Sequence, residues 1–338
     1  MKIKSALKPL LLVFLLSGIS LMLVSPAFPF LAQYTKPVSA GGAPQRDHWD
    51  FTAFAVTWSL NPSAGSNVQG DRTVADVMQA SFNTWLLAPN AVVVVSRAAD
   101  SSATAAGFDQ RSSSNINLVC FVCSGDFSKD SSTLAVTMTT VSDAVGEATG
   151  HGGSSRFVGQ ILDADILFNP AVTFSTGGSS PGQDLQTVAT HEIGHFFGLD
   201  HSGIVRAVMF PFAPPSQQAL AYDDVAGLAS LYPKPVPDVH TGSLTGTVRF
   251  SSGGAVFGAH VLAESTTGAQ AFAGSIRKTP IGTLSFPDGT YRLDGLPPDA
   301  YIVIAEPLDQ PITNSDVSGY GPAFSQASVA TGFTTRWH

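Results

Sequence analysis

The sequence predicts an α+β domain followed by a smaller all-β module. Between residues 48 and 233, segments that alternate like β-strands occur together with segments whose apolar residues recur at helical spacing. After residue 242 only short alternating segments remain, and turn signals separate them. Three prolines between residues 233 and 237 divide the two parts and predict a stiff, extended spacer. With 338 residues, the chain is long enough for two hydrophobic cores.

The first domain opens with a predicted strand and a long helix. Residues 54–60 alternate like a strand. Five apolar residues at helical spacing follow: Val74, Val77, Met78, Phe82 and Trp85. The later elements are predicted as strands at 91–96, 134–141 and 160–169 and as helices at 184–197 and 223–232. Asp184 is a suitable N-cap for the first of these two helices.

Residues 191–201 carry the strongest chemical signal, and they read His-Glu-Ile-Gly-His-Phe-Phe-Gly-Leu-Asp-His. His191 and His195 are four positions apart, so a helix presents both imidazoles on one face. Gly198 can adopt the left-handed conformation that ends a helix, after which a sharp turn brings His201 back to the same point. Three imidazole ligands predict a Zn²⁺ site whose fourth tetrahedral position is open to water, as in catalytic zinc sites.

Glu192 follows the first histidine and is close enough to hold a water molecule without binding the metal itself. Its expected role is general base, which takes a proton from the zinc-activated water and returns it to the leaving amine. Peptide bonds are the natural substrate for these steps, although the ligand set also suits another amide or an ester. A helical pair of core histidines is the alternative interpretation, and the third histidine and the glycine in register disfavour it.

The same stretch resembles the long zinc signature of the metzincin metallopeptidases, in which a methionine in a tight turn lies beneath the metal. Met209 matches this methionine, eight residues after the third histidine. Ser202, Phe210 and Pro211 match the pattern of the matrixin branch. Over residues 48–233 the resemblance implies a metzincin-type catalytic domain, with a mixed twisted sheet, long helices and zinc in a cleft.

The resemblance also implies how a substrate is held. Residues 160–169 resemble the sheet-edge strand that lines the cleft, where an extended peptide can pair by strand addition. Pro211 and Phe212 are expected to wall an apolar pocket for the side chain after the scissile bond. Secreted matrixins often carry a cysteine in a pro-segment that blocks the zinc, but no cysteine precedes residue 120 in this chain. Latency through a pro-segment cysteine that blocks the zinc is therefore not expected.

Asp163 and Asp165 are two positions apart on a predicted strand and therefore point to the same side. Two interpretations stand: a structural Ca²⁺ site, or carboxylates that face solvent. A second, structural zinc site would need further histidines, and His151 is the one histidine nearby.

Cys120 and Cys123 are the two cysteines of the chain. In an oxidising compartment a small local disulfide is the favoured interpretation, and free thiols are the alternative.

The N-terminus predicts export. Three lysines within the first eight residues precede an uncharged, apolar stretch over 9–34, which is the form of a secretory signal peptide. Small residues place cleavage after Ala27 or after Ala40, and we assign residues 1–40 to this signal. The alternative to a secreted, extracellular protein is membrane anchoring through the same stretch, which is long enough to span a bilayer.

The remaining chain divides into a catalytic domain over 41–233, a Pro-rich linker over 234–241 and a β-sandwich over 242–338. Residues 258–261 and 287–301 of the last part resemble the carboxypeptidase-regulatory-like, or Cna-B-like, sandwich of secreted bacterial proteins. This resemblance implies a spacer or adhesion role, with contact to a cell surface or the extracellular matrix. No clear last strand precedes the C-terminus, so we expect the sandwich to be incomplete.

These features together predict a secreted zinc endopeptidase that acts on proteins or peptides. A net charge of −8 offers no basic patch, so nucleic acid is not an expected partner. Two alternatives are an inactive metzincin scaffold with an adhesion or binding role, and a zinc amidase that acts on non-peptide substrates.

Overall fold

The computed structural model describes residues 32–35, 43–63, 67–123, 127, 132–177, 181–212, 217–317, 319–326 and 328–338. The predicted signal peptide at 1–40 lies outside these residues, apart from 32–35. Within the described ranges, every helix is too short or too polar to cross a lipid bilayer.

The described elements follow in chain order. They are β1 (Thr57–Leu60), β2 (Val68–Gln69), α1 (Val74–Leu86), β3 (Ser96–Arg97), β4 (Asn117–Cys120), β5 (Ala135–Val141), β6 (Ile161–Phe168), β7 (Phe174–Ser175), β8 (Gln183–Asp184), α2 (Leu185–Phe196), α3 (Tyr222–Leu231), β9 (Gly242–Thr247), β10 (His260–Ser265), β11 (Ile281–Leu284), β12 (Thr290–Leu296), β13 (Tyr301–Glu306), α4 (Tyr320–Ala323) and β14 (Arg336–Trp337). Helices and strands of both parallel and antiparallel pairing occur together, which confirms the α+β class.

Helices α1 and α2 begin where the sequence offers a capping side chain. The Thr73 hydroxyl accepts a hydrogen bond from the Asp76 N–H at 3.1 Å. Asp184 caps α2 as predicted, because its Oδ1 accepts from the Thr187 N–H at 2.7 Å. The two helices pack together, and the indole Nε1 of Trp85 donates to the Thr190 carbonyl at 2.8 Å. This contact fixes α2 against the core of the first domain.

The main sheet corrects one prediction about the cleft. Its strand order is β3-β1-β4-β6-β5, so the strand predicted at 160–169, which becomes β6, lies inside the sheet and not at its edge. All eight residues of β6 are buried, whereas β5 runs antiparallel to it as the outermost strand. Whether a strand lies at the edge of a sheet depends on which strands pair with it, and its apolar pattern does not report this, so the order of strands needed the tertiary structure. Of the strand predicted at 91–96, only Ser96 is retained, in β3.

The C-terminal part consists of two antiparallel pairings. Strands β11, β10, β13 and β14 form a four-stranded sheet, and β12 pairs with β9. The two-residue strand β14 pairs with β13 close to the C-terminus, where the sequence pattern predicts no clear strand. Two residues are too few to show an alternating pattern. The likeness to a carboxypeptidase-regulatory-like sandwich stays a prediction.

The C-terminal sheets pack directly on the first domain. One hydrophobic cluster contains Val225 and Leu228 of α3 together with Val261 of β10 and Leu293 of β12. The Pro-rich linker also lies against the first domain, because the side chain of Asn90 exchanges hydrogen bonds with the backbone of Val239, each at 2.9 Å. The Lys234 N–H also donates to the Asn90 carbonyl at 2.8 Å, so the predicted spacer is held against the first domain at two points.

Candidate metal centre

Helix α2 places the first two histidines of the motif side by side. The Nε2 atoms of His191 and His195 are 3.2 Å apart, and their ring centroids are 4.8 Å apart. This closeness follows from the four-residue spacing on one helical face.

Gly198 turns the chain so that His201 joins this pair. Its φ is +89°, and a Cβ at this position would lie 2.1 Å from the Asp47 carbonyl oxygen, so both the conformation and the space require glycine. The His201 ring centroid lies 5.3 Å from that of His191 and 4.9 Å from that of His195. The candidate ligand atoms of all three residues fall within 4.8 Å of one another. The structure thus brings the three predicted histidines together.

Each of the three imidazoles makes a hydrogen bond through its Nδ1 atom to a backbone carbonyl oxygen. The Nδ1 atom of His191 lies 2.7 Å from the Val208 carbonyl oxygen, and that of His195 lies 2.8 Å from the Leu199 carbonyl oxygen. The Nδ1 atom of His201 lies 2.7 Å from the carbonyl oxygen of Asp316. A carbonyl oxygen only accepts, so each Nδ1 donates and each Nε2 keeps a lone pair for a ligand.

The residues fit a zinc ion. Burial and the neighbouring His201 lower the pKa of His191 to about 3, and burial lowers the pKa of His195 well below its usual value, so both rings are neutral, as metal ligands must be. Zinc–nitrogen bonds of 2.0–2.1 Å in a tetrahedron separate two nitrogens by about 3.3 Å. The 3.2 Å between the Nε2 atoms of His191 and His195 agrees with this separation.

Glu192 lies beside the triad on α2, with 5% of its surface exposed. Burial raises the pKa of its carboxyl group to about 7, although a hydrogen bond from Thr137 opposes the rise. The Thr137 hydroxyl lies 2.7 Å from Glu192 Oε2 and 3.0 Å from the Glu192 carbonyl oxygen. Thr137 belongs to edge strand β5, and the sequence carried no motif that could have identified it.

Met209 packs against α2 at Gly194. It is fully buried, and a Cβ on Gly194 would come within 2.1 Å of its sulfur atom. Gly194 precedes His195 directly, so the glycine leaves room for the methionine under the ligand pair. The carboxylate of Asp224 on α3 accepts hydrogen bonds from the N–H groups of Val208, at 2.8 Å, and Met209, at 3.1 Å. Asp224 therefore holds the turn, a role that its helical sequence context did not indicate.

Pro211 and Phe212 follow this turn. Pro211 is partly buried, and 52% of the Phe212 side chain is exposed. Residues 213–216 lie outside the described part of the chain. The apolar pocket wall expected from these two residues stays a prediction.

Asp163 and Asp165 do not face solvent, which corrects the second interpretation of this pair. Each is 1% exposed, because all eight residues of β6 are buried and both faces of this strand are therefore covered. Asp165 accepts hydrogen bonds from the N–H groups of Gly107 and Leu118, both at 2.7 Å, and so pins the segment before β4. The Oδ1 atom of Asp163 has no hydrogen-bond partner among the described residues. Calcium at this pair stays a prediction.

Cys120 and Cys123 form a disulfide at the end of β4, with 1.97 Å between their sulfur atoms. Both are buried and pack with Leu118 and Leu167 in a small cluster on the sheet.

Comparison with known proteins shows that part of this chain is similar in sequence to metallopeptidases. Residues 136–233 match the sequence model of the Matrixin family, Peptidase_M10. Metalloendoproteinase 1 of Glycine max is 51% identical over 92 residues, which cover 27% of this chain and 30% of that protein. Matrilysin of Homo sapiens is 36% identical over 98 residues, covering 28% and 32% of the two chains. Karilysin of Tannerella forsythia is 39% identical over 70 residues, covering 21% and 14%.

The chain spans about a third or less of the length of these curated relatives. The matched region nevertheless contains every residue of the candidate centre that the zinc motif predicted. The segment over residues 136–233, which contains the three histidines, Glu192 and Met209, is therefore similar in sequence to the matrixin metallopeptidases.

Proposed function

We propose that this protein is a secreted, zinc-dependent endopeptidase in which Glu192 acts as the general base. The observation that carries the proposal is the convergence of His191, His195 and His201 beside a buried carboxyl group. The match of this same segment to the matrixins supports peptide bonds as the substrate class.

Different residues of the chain have different roles in the proposed reaction. Zn²⁺ bound by the three Nε2 atoms would supply Lewis-acid polarisation of the scissile carbonyl and would lower the pKa of a water molecule. Glu192 takes a proton from the attacking water and returns it to the nitrogen of the leaving amine. Because the pKa of its carboxyl group is about 7, Glu192 can both accept and donate a proton near neutral pH. The hydroxyl of Thr137 keeps the carboxylate in place through the contact at 2.7 Å.

Edge strand β5 supports an extended peptide as the substrate. It is the outermost strand of its sheet, so one row of its backbone N–H and C=O groups is available for strand addition. Thr137 of this strand also contacts Glu192, so a peptide paired with β5 passes close to the general base. Pro211 and Phe212 are proposed to form the apolar wall that receives the side chain after the scissile bond.

Secretion is supported by the N-terminal sequence pattern and by the Cys120–Cys123 disulfide, a bond typical of oxidising compartments. The Gln33 N–H donates to the Gly198 carbonyl at 2.8 Å, and Tyr34 packs on Tyr320. These contacts favour signal cleavage after Ala27, which retains both residues, over cleavage after Ala40.

The test compares wild-type protein with Glu192→Ala on casein and gelatin, with and without a chelator, and measures bound zinc in both. We expect one zinc per chain in each protein, chelator-sensitive hydrolysis by the wild type, and a loss of about 10²–10⁴-fold in the variant. Glu264→Ala, which removes an exposed carboxylate from β10, is the matched control and should retain full activity.

Other outcomes separate the alternatives. Wild-type protein that binds zinc but leaves both proteins and small amides intact is an inactive binding scaffold. Hydrolysis of small amides alone, with intact casein and gelatin, would establish a non-peptide amidase and reject the endopeptidase.

A further inference from the structure

The third histidine of the triad is held by a residue far outside the matrixin-like segment. The carbonyl groups behind His191 and His195 belong to residues 208 and 199, within that segment. The carbonyl behind His201 belongs to Asp316, which is 115 positions further along the chain and follows the last long strand of the C-terminal part. We propose that the C-terminal part of the chain completes the metal centre, with the turn at Asp316 acting as a positioning element for His201. This inference rests on the proposed role of His201 as a zinc ligand.

The turn that carries this carbonyl is closed by its own side chains. Asp316 Oδ2 accepts hydrogen bonds from the Thr313 N–H and the Thr313 hydroxyl, both at 2.8 Å. The Asp316 N–H donates in turn to the Thr313 carbonyl at 3.1 Å. Three hydrogen bonds between two residues fix the backbone at Asp316, and with it the direction of the carbonyl oxygen.

The turn is also anchored to the methionine turn of the metal centre. Ile312 and Val317, on either side of Asp316, are 3% and 1% exposed. They belong to one hydrophobic cluster with Phe210, which follows Met209 directly, and with Tyr320 of α4. The segment behind His201 and the segment beneath the triad therefore share a core, so they keep a constant separation.

A second connection supports the loop that follows His201. The Ser202 hydroxyl donates to Asp223 Oδ2, and the other oxygen of this buried carboxylate accepts from the Gly282 N–H of β11 at 2.8 Å. A Cβ on Gly203 would lie 2.6 Å from the His260 ring of β10. Strands β10 and β11 thus press against the backbone immediately after the third ligand.

The expected consequence is a tighter metal site. An imidazole whose Nδ1–H is bound by a fixed acceptor keeps one tautomer and one ring orientation, and its Nε2 is a better electron donor. Loss of such a partner typically weakens metal binding by about 10–100-fold. The C-terminal part is therefore proposed to set zinc affinity, in addition to any surface contact that it makes.

The experiment measures the zinc dissociation constant of the full-length protein by competition with a fluorescent chelator. Asp316→Ala removes the acceptor that closes the turn, and we expect its dissociation constant to rise about 10–100-fold. Asp288→Ala is the matched control, because Asp288 Oδ1 accepts from the Thr290 N–H at 2.9 Å and from the Thr290 hydroxyl at 2.6 Å. This control breaks a turn of the same chemistry elsewhere in the C-terminal part, and its zinc affinity should match the wild type.

Excess zinc gives a second readout. It should restore the proteolytic activity of Asp316→Ala, whereas it should leave Glu192→Ala inactive, because the two variants lose different steps. If Asp316→Ala does not fold, Thr313→Ala removes the hydroxyl bonds to Asp316 and Ser315 but keeps the backbone bond to Asp316, and it should raise the zinc dissociation constant by a smaller factor.

The inference would be overturned if the folded Asp316 or Thr313 variant bound zinc as tightly as the wild type. It would also be overturned if the Asp288 control lost as much zinc affinity as these variants. Either result would leave the proposed function intact. Failure of the wild-type protein to bind zinc at all would instead reject the metal centre itself.

Discussion

The hydroxyl of Thr137 lies where one atom can set the pH dependence of the proposed general base. It donates to the carboxylate of Glu192, and this hydrogen bond opposes the rise in pKa that burial causes. Because the bond stabilises the charged form, its removal raises the pKa of Glu192 further. The deprotonated base then exists only at higher pH.

We therefore expect Thr137→Val to move the acid limb of the kcat/KM profile to higher pH and to reduce kcat/KM at neutral pH by about tenfold, equivalent to ~1.4 kcal/mol. Thr139→Val is the control, since the Thr139 hydroxyl contacts Gln33, at 3.2 Å, and not Glu192. Superimposable pH profiles for wild type and Thr137→Val would contradict the positioning of Glu192 by this hydroxyl.

At the scale of elements, strand β6 carries two carboxyl groups into the interior of a sheet. Burial and the neighbouring Asp165 raise the pKa of Asp163 above the ordinary value of about 4. The folded state therefore binds this proton more tightly than the unfolded state. It follows that the contribution of Asp163 to the free energy of unfolding decreases as pH rises from about 4 through its raised pKa, and this contribution is constant at higher pH.

Asp163→Asn removes this titration. In the variant, the decrease in the free energy of unfolding that Asp163 causes should be absent. We expect the variant to be more stable than the wild type by about 1–3 kcal/mol at neutral to weakly alkaline pH. Asp165→Asn should instead destabilise by about 1–3 kcal/mol, because an amide N–H would face the N–H of Leu118 or Gly107. Chemical denaturation across pH 4–9 measures both, with and without added calcium. Wild-type stability that increases over this range only with calcium would favour a calcium site at the pair.

Other elements show which local signals suffice. Helix α2 follows from an N-cap at Asp184, apolar spacing and a terminating glycine at residue 198, all of which act within a few residues. The place of β6 inside the sheet and of β5 at its edge depends on pairing between strands far apart in sequence. Strand order is decided by which strands pair through backbone hydrogen bonds, so the edge position was assigned to β6 wrongly from the sequence.

At the scale of the whole molecule, the hydrophobic core crosses the boundary that the prolines indicate. Leu293 of β12 is fully buried in the cluster that includes Val225 of α3. A shared core couples the two parts, because neither can open without exposing the apolar surface of the other.

We expect calorimetry to show one unfolding transition, and Leu293→Ala to lower the midpoint of that single transition at a cost of about 2–5 kcal/mol. Ile302→Ala, which changes a side chain of β13 that is 42% exposed, should have a much smaller effect. Two separate transitions, of which Leu293→Ala moves only one, would show that the parts unfold independently.

The sequence alone determined which residues come together at the candidate centre. His191, Glu192, His195, Gly198, His201 and Met209 lie within 19 consecutive residues, so helix periodicity and one glycine turn suffice to bring the ligands together. The tertiary structure decided what surrounds them: Thr137 from an edge strand, Asp224 from α3 and the Asp316 carbonyl from the C-terminal part. Such contacts join residues far apart in the chain and involve backbone atoms or ordinary polar side chains. No local pattern encodes them, because they exist only once the packed core has brought those segments to the same place.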